Sequence, residues 1–442
     1  MELKAGIKGI VPIFLFSVLC SLFPDLAAQT STSSPYSRFG LGEFSYAHTP
    51  YFNGLGGLGF ALQNDSTAPY YLNTLNPAGL SSVKLTTFDL ALFNTTNRIN
   101  SGTESVTANR FALGRLAMGM PMNRKNTWGM AFGLQPFSSV GYNISSEEEI
   151  DSIGTVRYNY QGSGGINDLF LGTGFRIKNL SIGASASYLF GGITSMQRDS
   201  FPSTGMYFNT RVQKTVHFNN FLFKGGAQYL IRFGKWSLGL GATATIPVKF
   251  TARTTTLAEL LKFNSLIEIA RDTALFIEDE EQVVEIPLSL GGGFVLKKGE
   301  KILFGVDYFT QNWSSNDLLG QTGKFTTASR ISAGFQYVPD KYSDGRSNYK
   351  KRINYRAGFS LSNSYLVLSQ DVPITEMSFS LGLGLPLRKM RAGDTFTQNI
   401  LNLSIELGQR GTLESDLVKE QFIKVNFGFS INEKWFVKRK YD

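Results

Sequence analysis

The sequence has one cysteine and two histidines. The cysteine, Cys20, lies in the first apolar stretch, so the remainder of the chain has no thiol for a disulfide or a metal. His48 and His217 leave few candidates for a Ser-His-Asp triad or a His-based metal site, so no catalytic residue, metal or cofactor is expected. Charged residues make up only 17% of the chain. After Phe23 no apolar run approaches the ~20 residues of a membrane-spanning helix. If the chain crosses a membrane, it must do so as a closed barrel, because only closure satisfies strand backbone groups in lipid.

What is abundant points the same way. The 46 glycines, 36 phenylalanines and 18 tyrosines suit strands and turns rather than helices. The first residues read as an export signal over 1–29. Lys4 and Lys8 precede the apolar core Ile10–Phe23, and small residues follow at Leu26–Gln29.

From about Leu85 the chain settles into alternation with a period of two, the mark of strands. Leu180, Ile182, Ala184, Ala186, Tyr188 and Phe190 alternate with Ser181, Gly183, Ser185 and Ser187. Phe379, Leu381, Leu383 and Leu385 alternate with Ser378, Ser380, Gly382 and Gly384. Fourteen such segments are expected between Leu85 and Ile431, with sixteen as the neighbouring even count. Short connections such as Asn123–Asn126, Lys178–Asn179, Gly234–Lys235 and Lys297–Lys301 mostly alternate with longer ones at Gly192–Phe218 and Thr251–Glu280. An even strand number with short turns at one end and long loops at the other is the pattern of an outer-membrane barrel.

Alternation cannot say which face looks inward, and a soluble periplasmic or secreted β protein is the competing class. The barrel reading places Asp89, Arg115, Arg176, Lys224, Arg232, Asp307, Arg330, Arg356, Glu406 and Lys424 on the lumen side. Lys and Arg gather in the short turns and the tail Lys434–Asp442, while acids gather at Ser146–Asp151 and Glu278–Glu281. The net charge of +9 is therefore spread asymmetrically and forms no single nucleic-acid-binding stripe. Leu257–Ala274 has helical spacing at Leu257, Leu260, Leu261, Phe263 and Ile267, and predicts a short amphipathic helix in an outer loop.

Residues 30–84 precede the first barrel strand. Tyr36, Phe39, Phe44, Tyr46, Tyr51, Phe52, Phe60, Tyr70 and Tyr71 give this segment too much aromatic surface to leave in water, which predicts a plug or hatch inside a barrel spanning 85–442. The Gly-rich stretch Gly54–Phe60 follows no parallel-sheet strand and opens no clear helix, so it fits tight folding in a confined space better than phosphate binding. Pro136 sits mid-strand, where it removes a ladder donor and predicts a break.

The stretch Ser66–Ser82, with Asn76, Pro77 and Ala78, resembles the N-terminal hatch of the FadL/TodX outer-membrane channels. That resemblance implies a fourteen-stranded barrel, a hatch with an Asn-Pro-Ala motif and a kinked third strand opening sideways to the membrane. It also implies passive movement of fatty acids or hydrocarbons, with Asn76, Pro77 and Ala78 gating and Pro136 at the lateral exit. Expected partners are outer-membrane lipid and a hydrophobic small molecule. Tyr36–Phe44 and the C-terminal tail resemble a FadL-like branch related in fold to the partner barrel of type IX secretion. In that branch transport is inferred from fold, so the alternative is a plugged barrel that anchors a secretion or surface-protein complex.

Overall fold

The alternating segments hydrogen-bond edge to edge until the sheet meets itself. The computed structural model describes residues 34–433, apart from 64–70, 103, 152, 203–206, 265–266, 316–317, 322–323, 344–347, 369–371, 393–394 and 415–416. The expected export signal over 1–29, Tyr70 and the tail from Lys434 lie outside the described residues.

A two-residue strand, β1 (Glu43–Phe44), comes first. The wall then runs β2 (Thr86–Asn100), β3 (Ser105–Pro121), β4 (Trp128–Ile150), β5 (Gly154–Ile177), β6 (Leu180–Ser200), β7 (Asn209–Phe233), β8 (Trp236–Thr245) and β9 (Val248–Asn264). It continues through β10 (Ile267–Ile286), β11 (Ser289–Lys298), β12 (Ile302–Asn312), β13 (Thr327–Tyr337), β14 (Asn354–Val367), β15 (Pro373–Ala392), β16 (Thr395–Arg410) and β17 (Lys419–Glu433). Pro247 interrupts one stave between β8 and β9, and Pro287 interrupts the next between β10 and β11, because proline has no N–H to give the ladder. Counting these halves together gives a closed antiparallel barrel of fourteen strands. Closure is by β17 against β2, from Lys419↔Asn100 to Glu433↔Thr86.

The open question of faces is decided by exposure. On β15, Phe379 and Leu381 are 49% and 55% exposed, whereas Ser378 and Ser380 are 3% and 1%. Leu169, Leu171 and Phe175 on β5 and Ile405 and Leu407 on β16 likewise point outward. The apolar face surrounds the barrel and the small polar face lines its interior, the inverse of a soluble sandwich and the arrangement of a barrel solvated by lipid.

Two expectations are corrected. The segment Leu257–Ala274 is not a helix: it lies in the β9–β10 hairpin, whose strands pair from Ile267↔Asn264 to Ile286↔Val248. Register shifts at Ala270/Asp272, Thr273/Leu275 and Ile277/Glu280 insert extra residues and spoil the period of two, which leaves a helix-like spacing. The long outer connections are also mostly strand. β4 and β5 run to Ile150 and from Gly154, and β6 and β7 run to Ser200 and from Asn209. Short turns do alternate with these tall hairpins. β5 remains one strand through Gly162–Gly165, with Gly164 and Gly165 at φ +109° and +149°.

Candidate functional site

The wall on the short-turn half is notched by glycine, and the chain over Pro50–Gln63 and Tyr71–Val83 fills the notches. An added Cβ at Gly183 would lie 2.4 Å from the Pro77 carbonyl carbon, and one at Gly358 would lie 2.0 Å from the Gly56 amide nitrogen. Gly129, Gly174, Gly241 and Gly334 face the Leu80, Pro77, Phe60 and Leu55 carbonyl oxygens in the same way. These contacts are backbone against backbone, so no side chain can yield to relieve them. Gly56 and Gly57 turn at φ +69° and +91° where space is tightest, the confined folding expected of Gly54–Phe60.

Asn76, Pro77 and Ala78 sit at the centre of this packing. Asn76 caps a 3-10 turn, Pro77–Ser82, by accepting from the Ala78 amide at 3.0 Å, while Pro77 occupies the first turn position, where no N–H is needed. The Asn76 amide donates to Phe60 O at 2.7 Å, Ala227 O at 3.2 Å and Ala242 O at 3.3 Å, stitching this turn to β7 and β8. Asn73, three residues before Asn76 in the same sequence stretch, was not singled out by sequence reasoning. Its side chain accepts from the Leu75 and Asn76 amides and donates to Gly59 O and Leu62 O. Its spacing from Asn76 was a visible signal, since Asn side chains often bond backbone within three residues.

Arg115, Asp307, Arg330 and Arg356 among the inward charges contact the same segment. Arg115, fully buried, pairs with Asp89 at 2.5 Å and donates to Leu72 O at 3.0 Å and Thr74 Oγ1 at 2.8 Å. Asp307 accepts from the Gly59 and Phe60 amides at 2.6 and 2.8 Å. Arg330 donates to Gly56 O at 3.1 Å. Arg356 lies 4.2 Å from the Tyr51 ring centre and donates to Asn402 at 2.8 Å. Glu406 accepts from Ser378 at 2.8 Å. Lys224 lines a cavity with Asp168. Arg176 donates to Asn126 O, and Lys424 lies 5.1 Å from the Phe93 ring centre. Arg232 is on the inward face but at the short-turn rim and exposed, so it belongs to the mouth rather than to the lumen.

The outer half is built differently. β3 and β4 pair only from Pro121↔Gly129 to Leu116↔Leu134, and beyond Leu134 β4 has no β3 partner. Pro136 follows at once, with a register shift between Pro136 and Ser138 against β5. The N-terminal chain covers the β4 edge so released. Glu43 and Phe44 pair with Ser139 and Ser138, Ser45 N donates to Phe137 O at 3.0 Å, and Ser34 N donates to Gly141 O at 3.2 Å. This strap, residues 34–45, therefore lies along a seam in the wall.

Ionic contacts tie the strap down. Arg410 of β16 donates to Glu43 at 2.6 Å and also pairs with Glu376, with Glu420 at 3.7 Å. Burial pushes the Glu43 carboxyl up, but the Arg410 charge and hydrogen bond, with Arg110 and Lys424, outweigh it and hold the group at about 2. Phe44 packs against Phe137, Trp313 and Tyr365 with ring centres 4.9–5.4 Å apart. The sequence offered no sign of this cluster, because Glu43 and Arg410 are 367 positions apart.

Behind the seam are two cavities of ≈ 150 Å³ each, which share Phe44, Ser45, Tyr46, His48, Pro136 and Arg330 as lining. One is polar, with Glu43, Arg110 and Arg410. The other is more apolar, with Phe60, Leu75, Phe137, Leu222, Ile286 and Phe309. Burial, reinforced by Arg115, Lys224 and Lys424, drives the His48 pKa well below the usual imidazole value, so this ring stays neutral. Among the described residues no group of three or more His, Cys, Asp or Glu could hold a metal ion.

Comparison with known proteins agrees with this architecture. The toluene transporter TbuX of Ralstonia pickettii superposes with a TM-score of 0.56 at 13% identity, over 88% of this chain and 99% of that one. The CymD monoaromatic hydrocarbon channel gives 0.53 at 13% identity, over 88% and 99%. A Pseudomonas aeruginosa FadL homologue gives 0.53 at 12%, over 86% and 98%. At these identities the likeness is one of fold. No curated protein matches the chain in sequence. The BamG family model matches residues 7–442, nearly the whole chain, and the protein is a member of the BamG family with the fold of FadL-type outer-membrane barrels.

Proposed function

We propose that the protein is an outer-membrane channel for hydrophobic small molecules, whose route runs from the tall-hairpin side into the lumen cavity and sideways to the bilayer through the seam beside Pro136. The observation that carries this reading is the end of β3–β4 pairing at Leu116↔Leu134 with an apolar cavity directly behind it. A cavity of about 150 Å³ is the size that accommodates one benzene-sized ring. Partition of apolar surface, roughly 25 cal/mol per Å², supplies the driving force without a cofactor. Asn76, Pro77 and Ala78 fix the hatch against the wall, and the strap 34–45 is the part that moves.

A second reading has its own observation. The glycine-notched packing makes the N-terminal segment an integral part of the wall, which suits a sealed barrel acting as an anchor in a protein complex.

Native mass spectrometry of the barrel in mild detergent distinguishes them. The channel reading expects co-purified apolar molecules at wild-type level that fall in a Pro136→Gly variant. An empty barrel together with a stoichiometric bound protein would contradict it and leave the anchor reading.

A further inference from the structure

Apart from the lumen, a strongly basic concave surface lies at the short-turn mouth. Lys84, Arg176, Lys178, Arg232 and Lys235 line a depression of ≈ 630 Å³, with Trp236 at its wall. The one acid among its described lining residues, Glu300, is already engaged by Lys341 at 3.0 Å and by the Tyr342 hydroxyl at 3.0 Å. We propose that this depression is a docking site for an acidic segment of a partner protein on the periplasmic side.

The orientation of the cations favours a protein over lipid headgroups as the occupant. The membrane-facing positions of the same strands are Ile177, Leu180, Ile231 and Phe233, all exposed apolar residues. Arg176 and Arg232 alternate with them and so face the mouth of the barrel rather than the bilayer. Gln63 also lines the depression, its carbonyl accepting from Lys297 Nζ at 2.6 Å and its side chain donating to Ser181 Oγ at 3.4 Å. Cations gathered at the mouth present a field to an incoming chain, and complementary charge of this kind sets partner choice and encounter rate. The inference does not depend on what the lumen passes.

The test uses the full-length protein in a non-ionic detergent and a fluorescein-labelled decaglutamate peptide followed by anisotropy. Saturable binding that weakens with salt is expected. A Lys178→Gln, Arg232→Gln, Lys235→Gln variant should weaken it about tenfold, the combined effect of three exposed charges. A Lys350→Gln, Lys351→Gln, Arg352→Gln variant removes equal charge near the same end but outside the depression, and should change binding by less than about twofold. Heat-modifiable gel mobility establishes that both variants fold. Equal weakening in the two variants, no saturable binding, or displacement of the peptide by phosphatidylglycerol vesicles as readily as by unlabelled peptide would each overturn the proposal.

Discussion

The two halves of the N-terminal segment meet the same barrel in opposite ways. From Pro50 to Gln63 and from Tyr71 to Val83 the contact is backbone fitted into wall glycines and locked by buried side chains such as Asn76 and Arg115. From Ser34 to Ser45 it is a short ladder along one strand edge, an ion cluster, side-chain hydrogen bonds to Val418 and Tyr365, and buried side chains such as Tyr36 and Leu41. Close-packed interiors tolerate almost no displacement, and a segment held along one strand edge can open below the cost of global unfolding. On the proposed channel reading, the short-turn half is the rigid part and the strap of the outer half is the part that moves.

The largest expected effect comes from breaking the rigid half electrostatically. Asp89→Ala leaves the fully buried Arg115 without its carboxylate and should destabilise the barrel by about 3–5 kcal/mol in a detergent unfolding series. Next is Gly183→Val, which drives a side chain into the Pro77–Ala78 peptide and should cost about 1–3 kcal/mol in the same assay. Asn76→Ala should cost about 1–2 kcal/mol, from the lost cap and the lost side-chain bonds to the Phe60, Ala227 and Ala242 carbonyls. If any of these leaves stability unchanged, the rigid half is not rigid.

The smallest global effect is expected in the strap. Glu43→Gln should change global unfolding by less than about 1 kcal/mol, yet raise hydrogen exchange selectively over residues 34–45. Acid should do the same. The Glu43 carboxyl is held below its usual value of 4.5, so its stabilisation is complete above that pH and is lost as pH falls toward about 2. Strap exchange in wild type should therefore rise across that window, and the Glu43→Gln variant should show a smaller rise.

These contrasts also show what a sequence can and cannot display. The strands were readable because alternation is local, and β5 and β6 fall within a residue or two of their expected inner ends at Ile177 and Leu180. Pro136 was readable because the missing N–H is a property of one residue. The Asn-Pro-Ala turn was recognisable as a motif, but not its bonds to Ala227 and Ala242, which come from strands about 150 positions away. The β9–β10 hairpin was misread because its bulges erase the local period. The strap was invisible, since its contacts with Ser139 and Arg410 exist only once the barrel has closed.

Under the proposed function, apolar molecules leave through the seam when the strap lifts from β4. Apart from Cys20, which lies outside the described residues, the chain has no cysteine, so a Phe44→Cys, Ser138→Cys variant can place a disulfide across the register partners that hold the strap. The measurement is transfer of a fluorescent hydrocarbon probe into proteoliposome membranes, with the same protein oxidised and then reduced. The account predicts transfer that stops on oxidation and returns on reduction, while equal transfer in both states would contradict it.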